Sequence, residues 1–400
     1  MKTTQVFSLF IFIGWFGSLC SSLGTTYSVD VVNGDDRNAG TADSPLKTTK
    51  RAIKMAQPGD TIGMVHVDFP IHETVEIINK SGEEGKPITF DANGNLFTGA
   101  DAINPEDWTE TKPGLFRNDH LLRWLKKPEL VDGKLTPDAS TAATLQRYFF
   151  LWNGELNRMG RSSKGDRRTP LPASDALQPG QWTYVAEETA FYIAIPAGTK
   201  LSDYHIAAPT RMNGVTVGGT CAHWIIRNVN TTHVINDGFN IHGHTKDFIY
   251  ENITSTECGD DGFSQHAGPN EESECVIRNF VSRLNSTGIA NLGSGTYDNV
   301  VLEDNYGENL LLMGAGVHDF HNCVISARAP VGGWGGIILD GTPLGGKIAA
   351  GAPTARFTDC KVPWPVTPNP SGKPAIFLTT PDCHLEILGT TKLDGEINKK

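Results

Sequence analysis

Four hundred residues, 38% of them apolar and 20% charged, suffice for one large domain or two ordinary ones and exclude a disordered chain. A formal net charge of −11 excludes the basic face that a nucleic-acid partner demands. With 43 glycines and no long run of helical periodicity after residue 60, the chain favours short strands joined by tight turns.

Met1 to Gly24 carries Lys2, an apolar run from Val6 to Leu19, and the small residues Ser21, Ser22 and Gly24. This pattern predicts an export signal (1–24) and a secreted or periplasmic bacterial protein, the run being too short to span a bilayer comfortably. Its removal leaves Cys221, Cys258, Cys275, Cys323, Cys360 and Cys383, an even number, so disulfides are permitted. Stacked cysteines serve equally well as small buried hydrophobes, and their spacings match no zinc site.

Thr26 to Val32 alternates like a first strand. Ser44-Pro45-Leu46 predicts a helix start, with Ser44 as cap and Leu46, Ile53 and Ala56 as the buried stripe, ending at Gln57-Pro58-Gly59-Asp60. Thr61 to Val67 restarts as a strand. A helix in this place would cover the open strand edge at the end of a solenoid. Val75 to Ile78 and Pro87 to Asp91 follow as strands, separated by the turn at 81–85.

From about Ala102 to Pro209 the periodicity is lost while proline, tryptophan and charge rise, with longer strands at Arg147 to Asn153 and Thr189 to Ile195. This predicts an inserted β-rich subdomain over 102–211, between a cap with the first coils (25–101) and the main coils with a C-terminal cap (212–400). Pro363 to Pro374 reads as a loop, and Ala375 to Thr379 with Leu385 to Leu388 as a last coil or cap.

After Met212 two columns interleave. One runs Gly214, Gly238, Gly262, Gly288 and about Leu310, in steps of 24, 24, 26 and 22. The other is an apolar strand followed by an amide or acid at Asn228, Asn252, Asn279, Asp304, Asn322 and Asp359. A period in the twenties is a solenoid signature, and asparagines recurring at one corner can form side-chain ladders. The fold class expected is therefore all-β, a parallel β-helix. Coils about 4.8 Å apart would make Cys323 and Cys360 neighbours.

The glycine column also concentrates titratable groups. Asn236-Asp237-Gly238-Phe239-Asn240-Ile241-His242 recurs 24 residues later as Asp260-Asp261-Gly262-Phe263-Ser264-Gln265-His266. Asp237 should sit over Asp261 and His242 over His266, with Glu308 two coils beyond Asp260 and with Asn236, Asn240, His244 and Gln265 as neighbouring polar groups. Stacked like charges raise at least one pKa, which keeps a carboxyl protonated as a general acid. A single Asp-Gly would be a turn, but two in register with stacked histidines favour a site. His223, His233 and His318 read as surface or core residues.

Arg158, Arg161, Lys164, Arg167 and Arg168 form a basic run, either a solvated loop or one folding over the acids to meet an anionic polymer. Trp334, among the glycines at 332–336, reads equally as a sugar platform or a packed indole. No cofactor is expected; calcium suits clustered acids through hard oxygen ligands, although no calcium-loop motif is present.

Ser44-Pro45-Leu46-Lys47-Thr48, leading through Ala52 to Pro58-Gly59-Asp60-Thr61-Ile62, resembles the opening of secreted bacterial right-handed parallel β-helix proteins acting on polysaccharides, the pectate lyase-like superfamily. Pro179-Gly180-Gln181-Trp182-Thr183-Tyr184 and Phe191-Tyr192-Ile193-Ala194-Ile195-Pro196 are similar to a β-subdomain that interrupts some β-helical glycoside hydrolases. Asn236-Asp237-Gly238 and Gly259-Asp260-Asp261 resemble the Asn-Thr-Asp and Asp-Asp motifs of polygalacturonases. That resemblance implies that Asp260 or Asp261 protonates the leaving oxygen while the others position water, although no Gly-His-Gly or Arg-Ile-Lys follows. Gly238 to His242 partly resembles the Gly-Phe-Asp-Pro-His segment of mannuronan C5-epimerases, with Asn240 at the acid position. Three readings stay open: a hydrolase of a plant or algal carbohydrate, a lyase or epimerase with His242 or His266 as base, and a non-catalytic glycan-binding protein. For the hydrolase, Asp237 with Asp261 at roughly 5 Å would suit retention, and Asp260 with Glu308 at roughly 9 to 10 Å inversion.

Overall fold

The computed structural model describes residues 24–159, 170–266, 274–326, 334–342, 351–363 and 374–399. The export signal up to residue 23, and Arg161, Lys164, Arg167 and Arg168, lie outside the described residues.

Twenty-three strands pair into one sheet, and every pairing within it is parallel, so the sheet coils into a parallel β-helix. Three faces build each coil. The first stacks Val75–Ile78, 215–218, 239–242, 263–265, 289–291 and 310–312. The second stacks Thr26–Val29, Thr61–Met64, Ile88–Asp91, 224–227, 248–251, 275–278 and Ser294–Asp298. The third, of strands such as Asn230–Thr232 and Val301–Glu303, has no counterpart among the two columns expected, because strands this short hold too little alternation to show a period.

The corner after the second face carries Asn228, Asn252, Asn279, Asn299, Asn322 and Asp359, all with φ between 52° and 56°. Asparagine tolerates the left-handed region and bonds locally there. The amide of Asn228 donates to Asp91, and those of Asn252, Asn279 and Asn299 each donate to the preceding coil at 3.2, 2.8 and 3.2 Å. The ladder member at this level is Asn299 rather than Asp304. Asp304 turns the other corner, after the third face, with His233, Glu257 and Leu284.

Inside the coils, Phe239, Phe263, Phe280 and Tyr250 interlock with centroids 4.9 to 6.3 Å apart. The backbone N–H of Cys323 donates to Cys360 Sγ at 3.4 Å, the neighbourhood expected, and all six cysteines are buried free thiols.

The N-terminal helix, α1, spans Thr49–Met55, and its cap is Thr48, which accepts from the Arg51 N–H at 3.1 Å. Ser44 sits in a turn instead. Asp36 accepts from the Lys47 and Thr48 N–H groups and the Thr48 hydroxyl, holding the chain extended for those residues. Leu46, Ala52, Ile53 and Ala56 are buried, so the stripe is as expected although the start is later.

Among the described residues of the insertion every strand pairing is antiparallel. One sheet joins Thr109–Lys112, Leu115–Asn118, Ala190–Ala194 and Trp182–Val185; another joins Ala100–Ala102, Ile206–Pro209, Phe150–Trp152 and Glu155–Asn157. Its own aromatic core includes Tyr148, Phe150, Trp182 and Phe191. Between them lies a helix the sequence does not advertise, α2 at Ala139–Arg147, capped by Asp138. Its Ala-Ser-Thr-rich text has no apolar stripe, so Arg147 ends a helix instead of opening a strand. No helix among the described residues is long and apolar enough to cross a membrane.

Candidate active site

Gly238 and Gly262 turn the chain into the first face, and their neighbours make the space tight. A Cβ on Gly238 would lie 2.0 Å from Ser255 Oγ and 2.6 Å from Thr231 Oγ1, both buried. The preceding residue is thereby turned outward on each coil. Register places Asp237 over Asp261 as expected, and the Asp261 N–H donates to Asp237 Oδ1 at 3.0 Å. Asp260 joins them: one oxygen from each of the three acids lies within 4.8 Å of the others. They are 2%, 4% and 1% exposed for Asp237, Asp260 and Asp261, so the group is buried rather than laid open on a face.

Two elements cover it. The side-chain amides of Asn236 and Asn240 donate to Asp237 Oδ2 at 2.9 and 2.7 Å. Asn213, one period earlier, accepts from the Asn236 amide at 3.1 Å and the Asp237 N–H at 3.3 Å. From the insertion, Arg147 forms an ion pair with Asp260 at 2.8 Å and also donates to Asn236 Oδ1. Its side chain, 30% exposed, is the outer wall of the cluster. Gly259 permits this approach, because a Cβ there would lie 2.8 Å from the Arg147 carbonyl and 1.9 Å from that of Ile235.

Burial, then the Asp261 and Asp260 carboxylates, push Asp237 well above the usual carboxylate range. The bonds its carboxyl accepts from the Asn236 and Asn240 amides and the Asp261 N–H favour the charged form, but desolvation with two like charges outweighs them. Asp237 is therefore biased toward its protonated form, and the three carboxyls are best described together.

The histidines sit further along the same strands. His242 and His266 have ring centroids 5.0 Å apart, as the register requires, and Ser264 Oγ lies 3.5 Å from His266 Nε2. His242 reaches solvent, yet desolvation by its crowded surroundings, then His266, holds it down at about 4. His244 is exposed.

Four expectations change. Glu308 is two coils from Asp261, not Asp260, because Asn309 and not Leu310 aligns with Gly288. Gln265 aligns with Ile241 and Asn291 on the inward row and is buried, so it is not a surface contact. Trp334 is the packed indole: 5% exposed, it donates to the Pro374 carbonyl at 2.8 Å. Arg158 is no exposed loop residue but is buried against the turn leading to Asp260, donating to the Cys258 and Gly259 carbonyls. Arg161 lies outside the described residues.

Arg147 and Asn213 went unnoticed in the sequence. Asn213-Gly214 precedes Asp237-Gly238 by one period, a signal that was available. A cation spanning the three acids would compete with Arg147 at Asp260 and with three hydrogen-bond donors at Asp237, so the donor set suits a shared proton better than a metal.

No protein-family model and no curated protein matches the chain. Among solved structures it is similar to a glycoside hydrolase (TM-score 0.47, 10% identity, covering 92% of this chain and 95% of that one). It is also similar to XylC solved with xylose (TM-score 0.44, 13% identity, 89% and 72%) and to pectate lyase Pel9A (TM-score 0.43, 11% identity, 95% and 79%). The assignment of a parallel β-helix rests on the register of the coils themselves.

Proposed function

We propose that this protein is an exported glycoside hydrolase acting on a plant or algal polysaccharide or oligosaccharide through Asp237, Asp260 and Asp261. The observation that carries the reading is the pairing of opposites within 4.8 Å: Asp237 is driven toward its protonated form while Asp260 is ion-paired with Arg147. Carboxyls whose environments push them apart are what acid and nucleophile or base require. A proton of the cluster goes to the glycosidic oxygen as its bond to the anomeric carbon breaks while the Asp260 carboxylate attacks that carbon, and water then displaces Asp260 from the glycosyl ester and returns a proton to the cluster; if Asp260 acts as base instead, it deprotonates the water that attacks directly. The short separation favours the nucleophile, and so retention.

A second reading has its own support. His242 reaches solvent and stays neutral at pH 7, so it could remove the proton beside a uronate carboxyl, as a lyase or epimerase must. One experiment separates the two: residues 25–400 and the Asp260→Asn/Asp261→Asn variant are assayed on neutral and uronate polysaccharides for new reducing ends and for unsaturated-uronate absorbance. Reducing ends without absorbance, lost in the variant, are expected. Absorbance that survives the variant moves the chemistry to His242, and silence over a broad panel favours a glycan-binding protein.

A further inference from the structure

A cavity at the root of the insertion is walled by two nearly buried side chains whose N–H donors have no partner. Its volume is about 290 Å³, and its wall includes Asp101, Asp107, Trp108, Asn118, Arg123 and Thr210. That is the low end of the roughly 300–1,000 Å³ of ordinary small-molecule clefts, so it suits one ring rather than a long chain. Trp108 is 6% exposed and Asn118 is 4% exposed. Buried indoles normally find an acceptor. Trp182, Trp224 and Trp334 do so, donating to the carbonyls of Asn157, Lys80 and Pro374 at 3.0, 2.8 and 2.8 Å. The Trp108 ring is held against Phe150, with centroids 6.3 Å apart, yet its indole N–H donates to no group among the described residues. Asn118 accepts from the His120 N–H at 2.7 Å through its side-chain oxygen, and its amide nitrogen also donates to no group there.

The opposite side of the cavity supplies acceptors. The Asp101 carboxylate is fixed by Arg211 at 2.9 Å, by His72 at 2.7 Å and by the Thr210 hydroxyl. Asp107 and Arg123, both exposed, form no ion pair among the described residues. An anion would meet Arg123 but also two carboxylates, and a cation would find three side chains that only donate. Hydroxyl groups both donate and accept, so a ring of them can satisfy the N–H groups and the carboxylates together. The cavity is also tied to the coil that carries the acids. Directly after Thr210, the carbonyls of Arg211 and Met212 accept from the Ile235 and Asn236 N–H groups at 3.0 and 2.8 Å, and Asp237 follows.

We propose that this cavity is a saccharide subsite separate from the acid cluster, taking one uncharged sugar ring: Asn118 and Trp108 donate to its hydroxyl oxygens, and Asp101 and Asp107 accept from its hydroxyl groups. Arg123 closes the rim. That the polyhydroxylated ligand is a sugar rests on the carbohydrate reading above; that it is uncharged follows from the two carboxylates. Binding there can be measured whether or not the acids cleave anything.

The test follows the Trp108 indole N–H by NMR in protein labelled with 15N-tryptophan, the signal being assigned through Trp108→Phe. Glucose, galactose, mannose and xylose are titrated in, with galacturonate as the anionic ring and glycerol as the polyol without a ring. Concentrations up to about 0.1 M are required, because one ring buries too little surface to bind tightly. At least one neutral sugar should move the signal saturably, with galacturonate about tenfold weaker and glycerol showing no saturation. Asn118→Asp keeps the acceptor for the His120 N–H and removes the donor, so it should weaken that sugar about tenfold or more. No saturable shift with any of the four neutral sugars, tighter binding of galacturonate, or an Asn118→Asp affinity equal to that of the wild type would overturn the proposal. Should Asn118→Asp not fold, Arg123→Gln at the exposed rim decides: an affinity lowered about threefold or more upholds the site, and an unchanged one refutes it. Asp260→Asn/Asp261→Asn should leave the Trp108 shift as it is. Polysaccharides left uncleaved while the shift persists would remove the hydrolase reading and keep this site, and cleavage without the shift would do the reverse.

Discussion

Replacing Asp237 by asparagine should change how the stability of the protein depends on pH, and the size of the change follows from one proton. In the unfolded chain an aspartate titrates near about 3.9. In the folded protein burial, Asp261 and Asp260 hold Asp237 well above that. Between those values the native state keeps a proton that the unfolded state has released. Stability is therefore fully present below the unfolded value and is lost as pH rises toward the folded one. The slope approaches about 1.4 kcal/mol per pH unit wherever the folded group keeps the proton and the unfolded one has lost it, so across that window the wild type should lose stability relative to a variant without the proton. The substituted side chain fits the same space but turns an amide toward the Asn236 or Asn240 donors, or toward the Asp261 N–H, in place of an acceptor. That mismatch costs about 1–3 kcal/mol at every pH, so it displaces the curve without tilting it. Urea unfolding of both proteins at pH 5, 6 and 7 and one ionic strength isolates the slope difference. Parallel dependences would mean that Asp237 is ionised throughout, and the account of a proton held by the cluster would be wrong.

Two further changes probe the coil interior. His318 is fully buried and burial holds it at about 3, so the folded state binds fewer protons than the unfolded one between about 6.5 and that value, and stability falls as pH drops through this window. His318→Leu should remove one proton's worth of that loss, about 2 kcal/mol between pH 6 and pH 4 by urea unfolding, while the Tyr297 hydroxyl keeps its bond from Asn291 at 2.6 Å. Gly238→Ala should destabilise by about 1–3 kcal/mol, since its methyl would meet Ser255 Oγ at 2.0 Å. Adding Ser255→Gly should recover part of that loss, a coupling readable in a double-mutant cycle of melts.

The fold was legible because solenoid coils repeat their constraints. The corner that needs a left-handed residue asks for asparagine on coil after coil, so Asn228, Asn252 and Asn279 announced it at steps of 24 and 27. The slip to Asp304 arose where the period shortens: Arg278 pairs with Asp298 after 20 residues, and a second left-handed corner offers another acid close by. The helix start slipped for a different reason. Ser44-Pro45 satisfies every local rule, but Asp36, eleven and twelve residues before Lys47 and Thr48, binds their N–H groups and holds them out of the helix. Local text cannot carry that contact.

The same division governs the site. Asp237, Asp261, His242 and His266 stack because a β-helix converts sequence period into contact, and their partnership could be read from spacing. One of their partners comes from outside the repeat. Arg147 ends a helix 90 residues before Asp237, and Arg158 follows a strand of the insertion's own sheet. Neither position carries a period that would tie it to a coil. The tie runs through Gly259, where the absence of a Cβ lets the carbonyl of Arg147 approach the turn and brings its guanidinium to Asp260. A stack of acids on a bare coil would protonate or repel until it lost function or fold. On the proposed hydrolase reading, an insertion that sets Arg147 against Asp260 gives the stacked carboxyls different surroundings, and the chemistry then falls at the seam between the periodic and aperiodic parts of the chain.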